Sequence, residues 1–154
     1  MTHTYKYPRP ALTVDAAVFA KEGDDWYVLT ITRGKEPFKG RRAFPGGFFD
    51  LKDESTLDAA VRELREETGC KGEMDWKLVG VFDRKDRDPR ERVISTAYTT
   101  VIPERKLVKG ADDAASAKWE RISEVAGAGS WAFDHYEILV RALGAHGYGS
   151  PKHV

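Results

Sequence analysis

The sequence has little cysteine, no net charge and no long apolar run. Cys70 is the single cysteine among 154 residues, which excludes an internal disulfide and is typical of a reducing compartment. The 25 basic and 25 acidic residues cancel, which argues against long nucleic acids and anionic membranes as partners. No segment approaches the ~18 apolar residues of a membrane span, and residues 1–10 lack the apolar stretch of a signal peptide. We therefore expect a cytoplasmic protein that binds a small molecule.

The composition supports one folded domain, since 41% of the residues are hydrophobic and 11% are aromatic. Alternating and β-branched segments predict strands, and 3.6-residue periodicity predicts two helices. The strands are expected at 12–20, 26–32, 78–82, 93–102 and 117–120, and the helices at 55–68 and 131–143. This order predicts an α/β fold, a mixed β-sheet sandwiched between α-helices. Residues 1–10 are interpreted as an N-terminal arm, 11–143 as the domain and 144–154 as a flexible C-terminal tail.

The helix at 55–68 has the clearest local signals. Ser55 followed by Asp58 is typical of a helix N-terminus, and Gly69 stands where a C-terminal glycine belongs. Four apolar residues at i, i+3, i+4 and i+7 form one stripe for the core: Leu57, Ala60, Val61 and Leu64. The opposite flank is then expected to be polar.

That flank carries three carboxylates, on Glu63, Glu66 and Glu67. Neighbours at i,i+3 and i,i+4 repel by roughly 0.2–0.5 kcal/mol per like-charge pair on an isolated helix, and a divalent cation would reverse this cost. Carboxylate-rich oxygen ligation suits Mg²⁺ or Mn²⁺ better than Zn²⁺. Taken alone, the pattern is more typical of a solvated helix face. Its context favours the cation, with Arg62 placed to hold Glu66.

The context is Pro45-Gly46-Gly47, then Glu54, then R-E-L-R-E-E-T-G-C at 62–70. Together these closely resemble the Nudix box of the Nudix hydrolases, G-x5-E-x7-R-E-U-x-E-E-x-G-U, where U is a bulky apolar residue. Two departures stand out: six residues separate Gly47 from Glu54 where the family has five, and the small Cys70 fills the last position. The first departure leaves Asp53 as an alternative to Glu54; Cys70 is interpreted as buried and inert.

The resemblance implies a role for each box residue. Glu63, Glu66 and Glu67 would be catalytic metal ligands, joined by the carbonyl of Gly46, and Arg62 would orient a glutamate. Three residues would be structural: Gly47, Glu54 and Gly69. The implied cofactor is Mg²⁺, with Mn²⁺ as a substitute, and the implied reaction is hydrolysis of a diphosphate linkage by metal-assisted attack of water on phosphorus.

Three segments outside the box resemble the ADP-ribose pyrophosphatase branch: 33–48, 86–98 and 132–135. They imply cleavage of ADP-ribose to AMP and ribose 5-phosphate. Six candidate substrate-binding residues follow: Arg33, Arg42, Phe48, Arg87, Arg90 and His135. Each has an ordinary structural alternative, because the arginines could belong to solvated loops or a sheet edge, the phenylalanine to the core, and the histidine to a helix cap.

Several alternatives stay open on the sequence alone. NADH, dinucleoside polyphosphates and oxidised nucleoside triphosphates are rival substrates, and a non-catalytic ADP-ribose sensor is a rival function, although the intact glutamates favour catalysis. A further acidic catalytic residue has four candidates: Glu104, Asp112, Asp113 and Glu120. ADP-ribose-type relatives are often dimers, so a homodimer is also open.

Overall fold

The computed structural model describes residues 2–109 and 116–149. In chain order its strands and helices are β1 (Ala11–Glu22), β2 (Asp25–Thr32), β3 (Arg42–Ala43), β4 (Gly46–Phe48), α1 (Thr56–Thr68), β5 (Lys77–Phe82), β6 (Val93–Ile102), β7 (Ala117–Arg121) and α2 (His135–Ala145). Two short 3-10 turns, Ile122–Glu124 and Ala128–Ser130, lie between β7 and α2. Residues 2–10 form no helix or strand and are exposed.

The long strand β1 organises the sheet. It runs parallel to β6 over residues 11–20, while its other edge pairs with β4 near its start and with β2 near its end. The sheet order is β3-β2-β1-β6-β5, with β7 added to β2 and β4 to β1. The sheet is therefore mixed, with the short glycine-rich β4 beside Thr13, Val14 and Asp15 of β1.

The two-residue period of β1 divides the core into two layers. One face carries Val14, Ala16 and Val18 and packs against α1 through Ala60 and Leu64. The opposite face packs against α2, and its cluster includes Ala17, Phe19, Phe44, Trp131, Ile138 and Leu139. Helices thus cover both faces of the sheet, which confirms the expected α/β sandwich.

Helix α1 is built as its local signals predict. The Ser55 hydroxyl accepts from the backbone N–H of Asp58 at 3.0 Å. Gly69 takes the left-handed conformation, φ 75°, and donates its N–H to the Arg65 carbonyl at 2.8 Å. Cys70 is buried, as expected.

The structure differs from the expectation around α2. The helix begins at His135, four residues later than predicted, because Trp131 bridges to Arg42 and Phe133 has a positive φ of 50° that no helix accepts. At the other end the helix continues through Ala145, and Tyr148 packs edge-on against Trp26 with ring centroids 5.1 Å apart. His146 and Tyr148 therefore contact the sheet, His146 at Thr99 and Phe19 and Tyr148 at Trp26.

Within residues 2–109 and 116–149, neither helix has the length and hydropathy needed to traverse a lipid bilayer.

Candidate active site

The acidic flank of α1 lies against β4. An alanine Cβ at Gly47 would stand 2.7–2.8 Å from the carboxylate atoms of Glu63, so the missing side chain is what admits that carboxylate. The neighbouring Gly46 donates its N–H to Oε1 of Glu67 at 2.7 Å. The glycine pair and two of the three glutamates predicted from the sequence are thus in direct contact.

The ladder between β1 and β4 also fixes where the Gly46 carbonyl points. Ala16 donates to Pro45 and Phe49 donates to Leu12, so Gly46 is at a position whose N–H and C=O both face away from β1. Its N–H reaches Glu67 on α1, and its carbonyl oxygen faces the same side. The backbone oxygen implied as a metal ligand therefore lies on the glutamate side of the strand.

Arg62 is the centre of an ion-pair network on this side. Its Nε and Nη2 donate to the two oxygens of Asp53, both at 2.9 Å. Its Nη1 donates to Glu63 at 2.9 Å and to the more exposed Glu66 at 3.2 Å. The hydrogen bonds from Arg62 lower the pKa of Asp53, whereas burial raises the pKa of Glu63 despite the same guanidinium. Arg62 thus holds two glutamates and is itself braced by an aspartate.

The bracing residue is Asp53, not Glu54. Counting from Gly47, Asp53 restores the five-residue spacing of the family, and the turn closes through hydrogen bonds between Asp50 and Asp53. Glu54 is exposed. The departure from the box is therefore absorbed after Asp53, at the entrance to α1.

The donor set has the chemistry of a site for a hard divalent cation. It combines three carboxylates with one backbone carbonyl, and the missing side chain of Gly47 lets the Glu63 carboxylate approach the strand. In the part of the chain that the structure describes, no three His, Cys, Asp or Glu side chains already converge as ligands. Glu63 is held by Arg62 and Glu67 by the Gly46 N–H, so protein donors occupy the carboxylates in this structure.

On the opposite side of β4, a buried polar cluster supports the same strand. His135 accepts a hydrogen bond at Nδ1 from the Phe44 N–H at 3.0 Å, so the ring proton is assigned to Nε2, which lies 3.4 Å from Oδ1 of Asp15. Burial lowers the pKa of His135 and keeps the ring neutral. Ser95 donates to the other oxygen of Asp15. His135 thus neither caps α2, whose N-cap is Asp134, nor offers Nδ1 to a ligand.

A cavity of about 410 Å³ joins the two sides of β4. Its lining includes predicted residues from both sides: Arg33, Gly46, Gly47, Phe48, Glu63, Glu66, Glu67, Arg87, Arg90 and His135.

Two arginines of this lining are held by aspartates. Arg87 is almost fully buried and pairs with both oxygens of Asp134, at 2.9 and 2.6 Å. Arg90 pairs with Asp88. Asp15, Asp88 and Phe133 also line the cavity but are not among the residues expected from the sequence. Asp88 and Phe133 lie in two of the segments outside the box, where the neighbouring arginines and histidine were the candidates, and nothing local marks Asp15.

The structure does not bring Arg42 to this cavity. Its guanidinium binds both oxygens of Glu120, each at 3.0 Å, and also donates to Ser130. Burial opposes ionisation of Glu120, but hydrogen bonds from Arg42 and Thr30 outweigh it and lower the pKa. The ion pair ties β7 to β3, and the hydrogen bond from Thr30 ties Glu120 to β2. Arg42 therefore supports the edge of the sheet, which is the structural alternative given for it.

The four acidic candidates named from the sequence lie away from the three box glutamates or outside the described residues. Glu120 is engaged by Arg42, and Glu104 is exposed. Asp112 and Asp113 lie outside the described residues.

The sheet, the two helices and the acidic flank against a glycine strand together define a Nudix-type α/β sandwich. The family model described as NUDIX domain matches residues 9–142. The chain therefore belongs to the Nudix hydrolase family, whose members generally need divalent metal ions.

Three similar proteins refine the comparison. The chain is 38% identical over 133 residues to the ADP-ribose pyrophosphatase of Methanocaldococcus jannaschii, covering 86% of this chain and 73% of that protein. It is 30% identical over 138 residues to the ADPR responsive transcriptional repressor NtrR of Acinetobacter baylyi, covering 89% of this chain but only 54% of the repressor. The solved NUDIX domain of Shewanella oneidensis NrtR, complexed with ADP ribose, superposes with a TM-score of 0.82 at 26% identity, covering 91% of this chain and 90% of that one.

Proposed function

We propose that this protein hydrolyses the diphosphate of ADP-ribose to AMP and ribose 5-phosphate with a bound divalent cation. The observation that carries the proposal is the contact of Glu63 and Glu67 with the glycine strand, in a cavity that also exposes Arg33 and Phe48. The 38% identity to an ADP-ribose pyrophosphatase supports the substrate. Because Cys70 is a reduced, buried thiol, we propose the cytoplasm as the compartment.

The residues that would hold the cation are the three box glutamates and the Gly46 carbonyl, and we propose Mg²⁺, with Mn²⁺ as a substitute. When bound, the ion supplies charge neutralisation at the diphosphate and lowers the pKa of a water molecule. Arg62 keeps Glu63 and Glu66 oriented. Arg33 presents a partly buried cation to the phosphate oxygens.

The reaction balances with water alone. A water oxygen bonds to one phosphorus, the bond from that phosphorus to the bridging oxygen breaks, and each product keeps one phosphate. The water proton passes to a carboxylate of the glutamate set or to solvent. Neither an oxidant nor a reductant is required.

A substrate panel tests the proposal. ADP-ribose, NADH, a diadenosine polyphosphate and 8-oxo-dGTP are incubated with Mg²⁺ or Mn²⁺, and products are separated by chromatography. AMP and ribose 5-phosphate in equal amounts are expected from ADP-ribose. Faster consumption of a triphosphate, with ADP-ribose untouched, would reject the substrate but keep the family.

The double variant Glu66→Gln, Glu67→Gln tests the site itself. Turnover is expected to fall by at least about 10³-fold, because both carboxylate charges of the metal site are removed. The exposed Glu54→Gln is the matched control. Turnover of the double variant near the wild-type rate, with an unchanged melting temperature, would contradict the assigned metal site.

A sensor without turnover is the second candidate, favoured by the similarity to the ADPR responsive repressor. It predicts that ADP-ribose binds and remains intact in the presence of Mg²⁺. The intact glutamate set weighs against it. A homodimer remains a separate proposal, tested by light scattering for a mass near twice 17.3 kDa.

A further inference from the structure

Phe48, Arg90 and Phe133 form what we call the aromatic end of the cavity. All three line the cavity, and Phe48 follows Gly47 in β4, so its side chain points to the face of the strand opposite Glu63. The guanidinium carbon of Arg90 lies 5.7 Å from the ring centroids of both phenylalanines. Phe48 is 49% exposed although it lies in a strand, so a large apolar ring faces the open cavity. Such a surface is a platform on which a flat ligand can stack.

Arg90 is fixed in a way that suits stacking better than phosphate binding. Its Nε and Nη2 donate to the two oxygens of Asp88, at 3.0 and 2.7 Å, and its backbone N–H donates to the same carboxylate at 2.9 Å. The Asp88 side chain is buried. The carboxylate neutralises the charge of Arg90 and holds the guanidinium plane in place beside the two phenylalanine rings.

Phe133 lies beside the guanidinium of Arg90 and is held rigidly. Its backbone φ is 50°, a conformation that a phenylalanine keeps only where its surroundings fix it. Its ring packs against Phe38 with centroids 4.8 Å apart and against His135 at 5.6 Å. The Phe133 ring therefore needs little further ordering when a ligand binds.

Arg33 differs from Arg90 in its partner. Its Nε donates to a neutral acceptor, the Pro37 carbonyl at 2.6 Å. Its guanidinium lies over the Phe133 ring at 4.8 Å, and Glu67 is near enough to act on its charge. Arg33 therefore presents a cation between the aromatic end and the glutamates, where a phosphate would lie if a ring occupied the aromatic end.

We propose that the aromatic end is the base subsite, in which the heteroaromatic base of the nucleotide stacks on Phe48 and Arg90 beside Phe133, while Arg33 contacts the diphosphate. This rests on the proposed function for the identity of the ligand. Stacking uses the ring face, which every base has, so the subsite selects for a flat ring more than for one base. Phe133 and Asp88 become specificity and positioning residues, and the two arginines take different roles.

Binding of the product AMP tests the subsite without turnover. Isothermal titration of the wild type with AMP and with ribose 5-phosphate, which has no base, gives the two affinities. Phe48→Leu keeps an apolar side chain but removes the ring, and Arg90→Lys keeps the charge but removes the plane. Each is expected to weaken AMP binding about tenfold, as for loss of one stacking contact, and to leave ribose 5-phosphate binding within about twofold. Phe48→Trp is expected to retain AMP binding.

Two further variants separate the roles. Arg33→Gln is expected to weaken both ligands, because both carry a phosphate. Tyr7→Leu is the matched control, since Tyr7 is an exposed aromatic residue of the arm outside the cavity lining. For ADP-ribose turnover, Phe48→Leu is expected to raise KM more than it lowers kcat.

Equal losses of AMP and ribose 5-phosphate binding in Phe48→Leu, or no loss of AMP binding, would overturn the base subsite. Melting curves identify any variant that does not fold. If Phe48→Leu does not fold, AMP binding by Phe48→Trp tests the same position. If the wild type binds AMP as described but leaves ADP-ribose intact, the proposed function fails and the subsite stands. If the wild type hydrolyses ADP-ribose while Phe48→Leu binds AMP normally, the base subsite is rejected and the proposed function stands.

Discussion

Gly47→Ala is expected to separate activity from stability. The added Cβ would lie 2.7 Å from Cδ and Oε1 of Glu63 and 2.8 Å from Oε2. Non-bonded carbon atoms prefer roughly 3.5–4.0 Å, so the carboxylate must move by about 1 Å. The obstacle is the end of a flexible side chain, which can rotate outward at small cost, and the backbone of β4 can stay in place.

A displacement of about 1 Å at a catalytic group can cost roughly 10²-fold in rate. We therefore expect kcat for ADP-ribose to fall about 100-fold in Gly47→Ala, followed as AMP release. The free energy of unfolding should change by less than about 1 kcal/mol, which for a chain of this size is a shift in melting temperature of roughly 2–4 °C or less.

Gly46→Ala is the contrasting variant one residue away. Its Cβ would overlap the backbone carbonyl oxygen of Val14 and stand 2.6 Å from Oδ1 of Asp15. Backbone cannot rotate aside, so overpacking of about 1–3 kcal/mol is expected, together with a clearly lower melting temperature. Gly47→Ala turnover within about threefold of wild type would refute the reasoning, because Glu63 would then have no need of the space that Gly47 leaves.

Three further outcomes are expected. Asp53→Asn should lower kcat/KM about tenfold or more by freeing Arg62, whereas Glu54→Gln should match the wild type; equal effects would reject Asp53 as the brace. His135→Ala should lower the free energy of unfolding by roughly 1–3 kcal/mol, because a buried backbone N–H loses its acceptor, and a melting curve unchanged from wild type would reject that hydrogen bond. The pKa of Glu120 is lowered below its ordinary 4.5 in the fold, so its ion pair stabilises above pH 4.5 and this stability is lost as pH falls through the folded pKa. The difference in unfolding free energy between wild type and Glu120→Gln should therefore shrink on acidification from pH 6 to pH 3, and a constant difference would reject the linkage.

The parts of the site that could be predicted from sequence are those encoded locally. Helix α1 has an apolar stripe, a capping serine and a terminal glycine within 15 consecutive positions, so its faces are set before any tertiary contact forms. Placing Glu63, Glu66 and Glu67 on one flank follows from helical spacing alone. The resemblance to the Nudix box indicated that Gly46 and Gly47 belong to the same site as these glutamates. The observed contacts of Gly46 with Glu67 and of Gly47 with Glu63 agree with this.

The parts that could not be predicted depend on pairing across the fold. Strand β4 has three residues, two of them glycine, so no propensity marks it, and it exists because it pairs with β1. The choice of Asp53 over Glu54 is made by the reach of Arg62 across an irregular loop. Arg42 resembles the other arginines of the basic loop in sequence, and only the pairing of β3 and β7 with the same strand, β2, brings it to Glu120.

The alternation of β4 links the two halves of the site. Successive side chains of a strand point to opposite faces, so Gly47 opens towards Glu63 while Gly46 and Phe48 open towards Asp15 and the aromatic end. A shift of one residue in the β1–β4 register would exchange these faces, driving the Phe48 ring into the carboxylates and removing the space beside Glu63. The hydrogen bond from Phe44 to His135 and the contacts of Gly46 with Glu67 oppose that shift from both sides. His135 therefore matters to the chemistry through the register of this short strand, although its Nδ1 is already used within the fold.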